Sequence, residues 1–565
     1  MGLTTTATRR SARRGRPVAL AALAALTLLA GTACGGGGGP DPDAKATPPA
    51  GAPRGTAEPE GRSGPALPQL PASLTGQKLA WKPCTAPTRA QGGDGKPPKP
   101  LPDGTSWQCA SFKAPLDYAH PDGRTIPIAL IRARTKAAEA AKGGTAGGTS
   151  RIGSLVFNFG GPGDSGVTSL PTSAATFEGL RSRYDLVSFD PRGVGASAGV
   201  RCRDDAELEA AANVDSTPDD AAEERAFLKD ATTFGAGCAR RAGALLPHAG
   251  TADAARDLDL MRHLLGDAKL HYFGFSYGTQ LGGTYAHLFP RRVGRAVLDA
   301  VVDPSADAVT HAFGQASGFQ RALNNYLTDC AKQGRDCPVG GGPQQGTRTL
   351  AAFLARLDTK PLPTSGTRRL TQTQALTGIT LPLYSKDMWP HLTIALQEAL
   401  RRHTGTGLLA LADVYNNRDE RGHYGTQSHS QRAVSCADTS ARPTLAEAKA
   451  QLPRFRAASP VFGPMLAWDT AGWCANWPVA GAARTPQVAA EGAAPILVVG
   501  TTGDPATPYE GSRTMARALG RGVGIHVTYQ GEGHGAYPTG NPCLTRTVNA
   551  YLLNGKVPKS GTTCR

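Results

Sequence analysis

The chain has 565 residues, 40% hydrophobic and 19% charged, enough for one large domain with an insertion or for two to four average ones. Its net charge of +16 falls to +11 once the first 33 residues, which hold five arginines and no acid, are set aside. No lysine/arginine block interleaved with aromatics follows, which argues against a nucleic-acid partner.

Residues 1–33 read as an export signal. The arginines precede an apolar run from Val18 to Ala30, too short for a permanent membrane span. Gly31-Thr32-Ala33 then leads to Cys34, a pattern that resembles a bacterial lipoprotein signal, in which the cysteine is lipidated after cleavage before it. Gly31 stands where Leu is usual, so ordinary cleavage after Ala33 is the alternative. Export to the exterior or anchoring to the outer membrane face through Cys34 is expected either way. Setting Cys34 aside leaves ten of the 11 cysteines, an even number that suits up to five disulfides in an oxidising compartment. Pairing of neighbours along the chain is expected: 84/109, 202/238, 330/337, 436/474 and 543/564. No C-x-x-C occurs, which argues against zinc, and no metal or cofactor is expected.

Residues 34–75 are rich in Gly, Pro and Ala without apolar periodicity and read as a disordered tether. Structure is expected from near Trp81 and Cys84. Arg124–Arg134 alternates as an edge strand that tolerates Pro127. Leu155–Phe159 is a buried strand running into Gly160-Gly161-Pro162-Gly163-Asp164-Ser165-Gly166. Tyr184–Phe189 is another, ending in Asp190-Pro191-Arg192-Gly193. Thr251 is expected to cap a helix carrying Leu258, Met261 and Leu265 on one face and ended by Gly266.

Lys269–Phe273 reads as a strand, and Tyr277 to Pro290 as a helix with Gly278, Gly282 and Ala286 on a small-residue stripe. Between them lies Gly274-Phe275-Ser276-Tyr277-Gly278, a G-x-S-x-G. In a nucleophile elbow of this kind the serine sits on a tight strand-to-helix turn, with its hydroxyl over a helix N-terminus. Arg295–Val301 is the next strand. Strand–helix alternation with turns at the strand ends is the grammar of a parallel α/β sheet.

From Ser305 to Gly492 helices dominate, for example Asp387–Arg402 and Leu408–Asn416, before strands resume at Ile496–Gly500 and Ile525–Tyr529. The expected architecture is an α/β-hydrolase fold with a mostly helical cap between the later strands. Residues 76–304 and 493–565 form the core and residues 305–492 the cap.

A serine hydroxyl needs a base to take its proton and a third group to orient that base. In this fold the chain order is Ser, acid, His. After the strand at 496–500 comes Asp504 in Gly503-Asp504-Pro505, and after the strand at 525–529 comes His534 between Gly533 and Gly535. Ser276, Asp504 and His534 are therefore the expected triad, with Asp303 the fallback acid and Asp299 structural. Two amides must face the oxyanion: that of Tyr277 is expected, with another from Gly160-Gly161-Pro162-Gly163. A phosphate cradle in the glycine loop is disfavoured because no G-K-[ST] follows.

Taken together, F-G-G-P-G-D-S-G, D-L-V-S-F-D-P-R-G-V-G, Y-F-G-F-S-Y-G-T-Q-L-G, D-P-A-T-P and G-E-G-H-G resemble the secreted bacterial tripeptidyl aminopeptidases, of the prolyl-aminopeptidase type of α/β-hydrolase serine peptidases. The resemblance covers about Trp81 to Cys564 and by position implies the triad at Ser276, Asp504 and His534 and the oxyanion contacts at Gly161 and Tyr277. Phe159 stands where His usually precedes G-G-P-G, which weakens a strict proline preference. The resemblance implies a serine exopeptidase that releases short peptides, tripeptides foremost, from free N-termini beneath a cap that limits access. A carboxylesterase or lipase of the same fold and a non-catalytic surface-binding lipoprotein are the alternatives. An aminopeptidase needs carboxylates for the substrate ammonium, and Asp438, beside Cys436, is the candidate singled out. Peptide N-termini are the expected partners, with membrane contact only through a lipid on Cys34.

Overall fold

The computed structural model describes residues 69–93, 95–136, 150–483 and 487–565. The signal segment, Cys34, most of the tether and most of the loop expected near 136–150 lie outside the described residues.

Runs of Val, Ile, Leu and Phe between glycine-rich turns build the sheet. Its strands are β1 (Lys82–Pro83), β2 (Gln108–Pro115), β3 (Thr125–Ala133), β4 (Gly153–Asn158), β5 (Tyr184–Phe189), β6 (Leu270–Phe275) and β7 (Val293–Asp299). After a two-stranded hairpin, β8 (Leu362–Pro363) and β9 (Arg369–Leu370), come β10 (Ile496–Gly503), β11 (Gly524–Glu532) and β12 (Thr562–Cys564). Ten of them form one sheet in the order β1-β2-β3-β5-β4-β6-β7-β10-β11-β12. From β5 to β12 every pairing is parallel. Every residue of β4 and β5 is buried, as befits parallel strands covered on both faces.

β3 is not an edge strand. It lies between β2 and β5, but β5 reaches only Leu130–Ala133, so Pro127 pairs with Lys113 of β2 alone. The missing N–H of Pro127 therefore falls where the strand is locally an edge.

Between β7 and β10 the chain leaves the sheet. Helices Ala308–Ala331, Pro343–Thr359, Gln372–Thr380, Trp389–Arg401 and Thr406–Tyr415 gather a separate apolar cluster around Phe319, Leu323, Leu376 and Leu396. Helix Gln427–Ala437 is different, because Ala433, Val434 and Cys436 pack in the cluster on the sheet itself. Five disulfides join the pairs 84/109, 202/238, 330/337, 436/474 and 543/564. Among the described residues no helix is long and apolar enough to cross a membrane.

Candidate active site

The elbow is built by what its glycines leave out. β6 runs to Phe275, helix Tyr277–Leu288 starts one residue after Ser276, and Ser276 takes φ +55° between them. A Cβ on Gly278 would stand 2.6 Å from the Asn158 carbonyl oxygen, and one on Gly274 would stand 2.4 Å from the Gly278 carbonyl oxygen. Only glycine lets the chain fold back this tightly. Ser276 is fully buried, and its Oγ has no hydrogen-bond partner among the described residues.

The loop after β4 lies against the elbow. A Cβ on Gly160 would fall 2.9 Å from the Ser276 Cβ and 2.8 Å from the Phe275 carbonyl oxygen. The Gly160 amide donates to Asn158 Oδ1 at 3.1 Å. The Gly161 amide and that of Tyr277, the first residue of its helix, have no acceptor among the described residues. They are the free donors beside the serine, and a helix N-terminus backs one of them.

On the far side, β10 delivers Asp504 and β11 delivers His534. The fully buried Asp504 carboxylate accepts from the amides of Ala506 (3.0 Å) and Thr507 (2.9 Å) and from the Thr507 hydroxyl (3.0 Å). His534 Nδ1 lies 2.9 and 3.0 Å from its two oxygens. That contact puts the Nδ1 proton toward the aspartate and leaves Nε2 as the free base. Nε2 is buried and has no partner among the described residues. Ser276 Oγ and His534 Nε2 are not hydrogen-bonded to each other; each is buried with its bonding capacity open, as a catalytic pair without substrate often is. Asp303, the fallback acid, instead binds Ser305 in its own turn.

Three further contacts position these groups. Asp299, at the end of β7, accepts the amides of Ala536 (3.0 Å) and Tyr537 (2.8 Å), fixing the histidine loop, and burial pushes its carboxyl up to about 6. The cap supplies Tyr384, whose carbonyl accepts the His534 amide at 2.8 Å and whose ring meets the imidazole edge-on, centroids 5.4 Å apart. Asn325 of helix Ala308–Ala331 donates to Glu532 at the end of β11. No local signal in the sequence pointed to Tyr384 or Asn325, since their partners are more than a hundred residues away.

Asp438, the ammonium candidate, has its oxygens engaged within the chain. Its oxygens accept the Thr251 amide at 2.7 Å and the Thr251 hydroxyl at 2.5 Å. The N-cap of helix Thr251–Leu264 is Gly250 rather than Thr251, and Asp438 supplies the capping oxygen from across the chain. Thr251 Oγ1 also lies 2.8 Å from the Tyr277 hydroxyl, so the network ends on the residue after Ser276.

The family model described as TAP-like protein matches residues 459–564. Serine protease Hip1 of Mycobacterium tuberculosis is 35% identical over 507 residues, covering 86% of this chain and 91% of that protein. Carboxylesterase B of the same organism is 33% identical, over 81% of this chain and 86% of that protein. Tripeptidyl aminopeptidase of Streptomyces lividans is 30% identical, over 86% of each.

Proposed function

This chain belongs to the tripeptidyl-aminopeptidase-like α/β-hydrolase serine peptidases, and from that membership we propose that it releases short peptides, tripeptides foremost, from free N-termini through Ser276, His534 and Asp504. The observation that carries the reading is the pair of buried, unpartnered atoms, Ser276 Oγ and His534 Nε2, with Asp504 on the far side of the imidazole.

In this mechanism His534 takes the Ser276 proton as the oxygen attacks the carbonyl of the third residue. Asp504 stabilises the imidazolium and keeps the ring turned. The oxyanion rests on the amides of Gly161 and Tyr277, each such donor contributing about 3–4 kcal/mol to the transition state. His534 then hands its proton to the departing amine, and water clears the acyl-enzyme with the same base.

One relative is named a carboxylesterase, and a triad with two amide donors serves esters equally well. A substrate panel separates the readings. Rapid release of p-nitroaniline from a free-amine tripeptide anilide, with none from its N-acetyl form, supports the exopeptidase. Equal turnover of simple esters and no dependence on the amine supports the esterase. Five disulfides suit the oxidising exterior. Anchoring through Cys34 is the companion proposal, and a lipid-sized mass increment on the exported protein, lost in Cys34→Ala, tests it.

A further inference from the structure

We propose that Asp164, in a crevice between the oxyanion loop and the cap, receives the free α-ammonium of the peptide substrate. The inference rests on the exopeptidase reading and names the group that enforces it.

Asp164 follows the glycine loop directly, and its backbone nitrogen lies 3.0 Å from where a Gly161 Cβ would stand. The residue is only 6% exposed, yet no side-chain hydrogen bond or nearby charge among the described residues acts on its carboxyl. It lines a crevice of about 150 Å³ whose other walls include Gln91, Ser165 and Thr168 of the core and Asn417 and Thr426 of the cap. None of the lining residues is basic.

The neighbouring polar groups are already committed. Ser165 Oγ and Gln91 Nε2 both donate to Asp190, at 2.6 and 2.9 Å. Thr168 Oγ1 lies 3.1 Å from the Gln91 carbonyl oxygen, Thr426 Oγ1 donates to the Ala90 carbonyl at 2.6 Å, and Asn417 Nδ2 donates to Gln427 at 2.5 Å. The carboxyl is the one ionisable group among the lining residues. A carboxylate buried without a partner is costly, and a cation entering beside it removes that cost. Burial alone pushes the group up to about 8, and an adjacent ammonium drives it back to the charged form.

Size and reach agree with the assignment. The crevice holds an amino group and its α-carbon but not a whole tripeptide. Gly163 and Asp164 carry the glycine loop from Gly161 into the crevice wall, and three extended residues span about 10–11 Å, the reach a tripeptide would need between an ammonium here and a carbonyl at the Gly161 amide. N-acetylation removes the positive charge and two of the three N–H donors and adds an acceptor oxygen and a methyl group, so a blocked terminus neither neutralises the carboxylate nor fits the crevice.

The test compares wild type, Asp164→Asn and Asp164→Glu on a free-amine tripeptide p-nitroanilide and its N-acetyl form. Binding of the free tripeptide is also measured by calorimetry in Ser276→Ala with and without Asp164→Asn, and thermal melts report folding. The expected result is that Asp164→Asn raises KM for the free-amine substrate about 100-fold, with a smaller change in kcat. Tripeptide binding weakens by a similar factor, and Asp164→Glu keeps most of the preference for the free amine. A folded Asp164→Asn enzyme whose KM and preference match wild type overturns the proposal and leaves the exopeptidase reading standing. A wild type that treats free and acetylated substrates alike overturns both.

Discussion

The main-chain carbonyl of Asp299 accepts the amide proton of Ser276 at 3.1 Å, so the end of β7 is bonded to the elbow itself. The carboxylate of the same residue accepts the two amides that follow the His534 loop. One buried aspartate thus ties the Ser276 turn and the segment after His534 to a common point. Asp299→Ala strands both amides, and a buried donor left unpaired costs about 1–3 kcal/mol. The variant is expected to unfold at lower denaturant and to lose kcat far more than KM, as urea titration and ester kinetics will read. Unchanged kcat alongside lowered stability would make the clamp purely structural.

Asp504→Asn is expected to leave the fold in place and cut kcat by about 10⁴, because an amide no longer holds the imidazole in the tautomer that frees Nε2. Steady-state turnover of the free-amine tripeptide anilide measures it, with the thermal midpoint as the fold check.

Asp438→Ala removes the capping oxygens from helix Thr251–Leu264 and loosens Thr251 beneath Tyr277. A lost N-cap costs about 1–2 kcal/mol. The expected phenotype is lowered stability with a modest fall in kcat and an intact preference for free N-termini. Loss of that preference would return Asp438 to the ammonium role that its sequence position suggested.

The pH dependence of stability follows from buried groups. Burial raises Asp164 to about 8 and Asp438 and Asp469 each to about 7, so the folded chain holds protons that the unfolded chain, with carboxyls near 3.8, has lost. Their stabilising contribution is full only below about pH 3.8, declines as pH rises above it by up to about 1.4 kcal/mol per group and pH unit, and is gone once pH passes 7 to 8. Burial lowers His271, His311 and His526 to about 4 and His429 to about 3, so below pH 6.5 they oppose the carboxyls as the unfolded chain takes up protons. Above pH 6.5 the carboxyls prevail, so the unfolding free energy should fall measurably from pH 6.5 to 8. A stability that climbs steadily from pH 6.5 to 8 would refute this accounting.

Much of the architecture was legible because the strands that carry the site are unbroken apolar runs ending in glycine-rich turns. β4, β6, β10 and β11 each deliver their loop where the chain order of an α/β-hydrolase puts it. What was illegible depends on contacts far apart in sequence. Cys436 shows that the loop of Asp438 is pinned, but not that the carboxylate turns to Thr251, 187 residues away. Helix Ala221–Ala242 escaped notice because it is mostly Ala and charge, burying only Ala231, Phe234, Gly235, Gly237 and Cys238. Asp164 stood inside a quoted motif, yet its isolation emerges only when the cap closes over it. Pro127 suggested an edge strand because the partial reach of β5 along β3 has no local sequence mark.

The central claim is that Ser276 is a nucleophile activated by His534. Intact-mass analysis after exposure to a fluorophosphonate probe tests it most directly. One probe mass is expected on Ser276 in the native protein, none in Ser276→Ala, and labelling slowed at least about a thousandfold in a folded His534→Ala. Equal labelling of native protein and Ser276→Ala, or no labelling of the native protein at all, would contradict it.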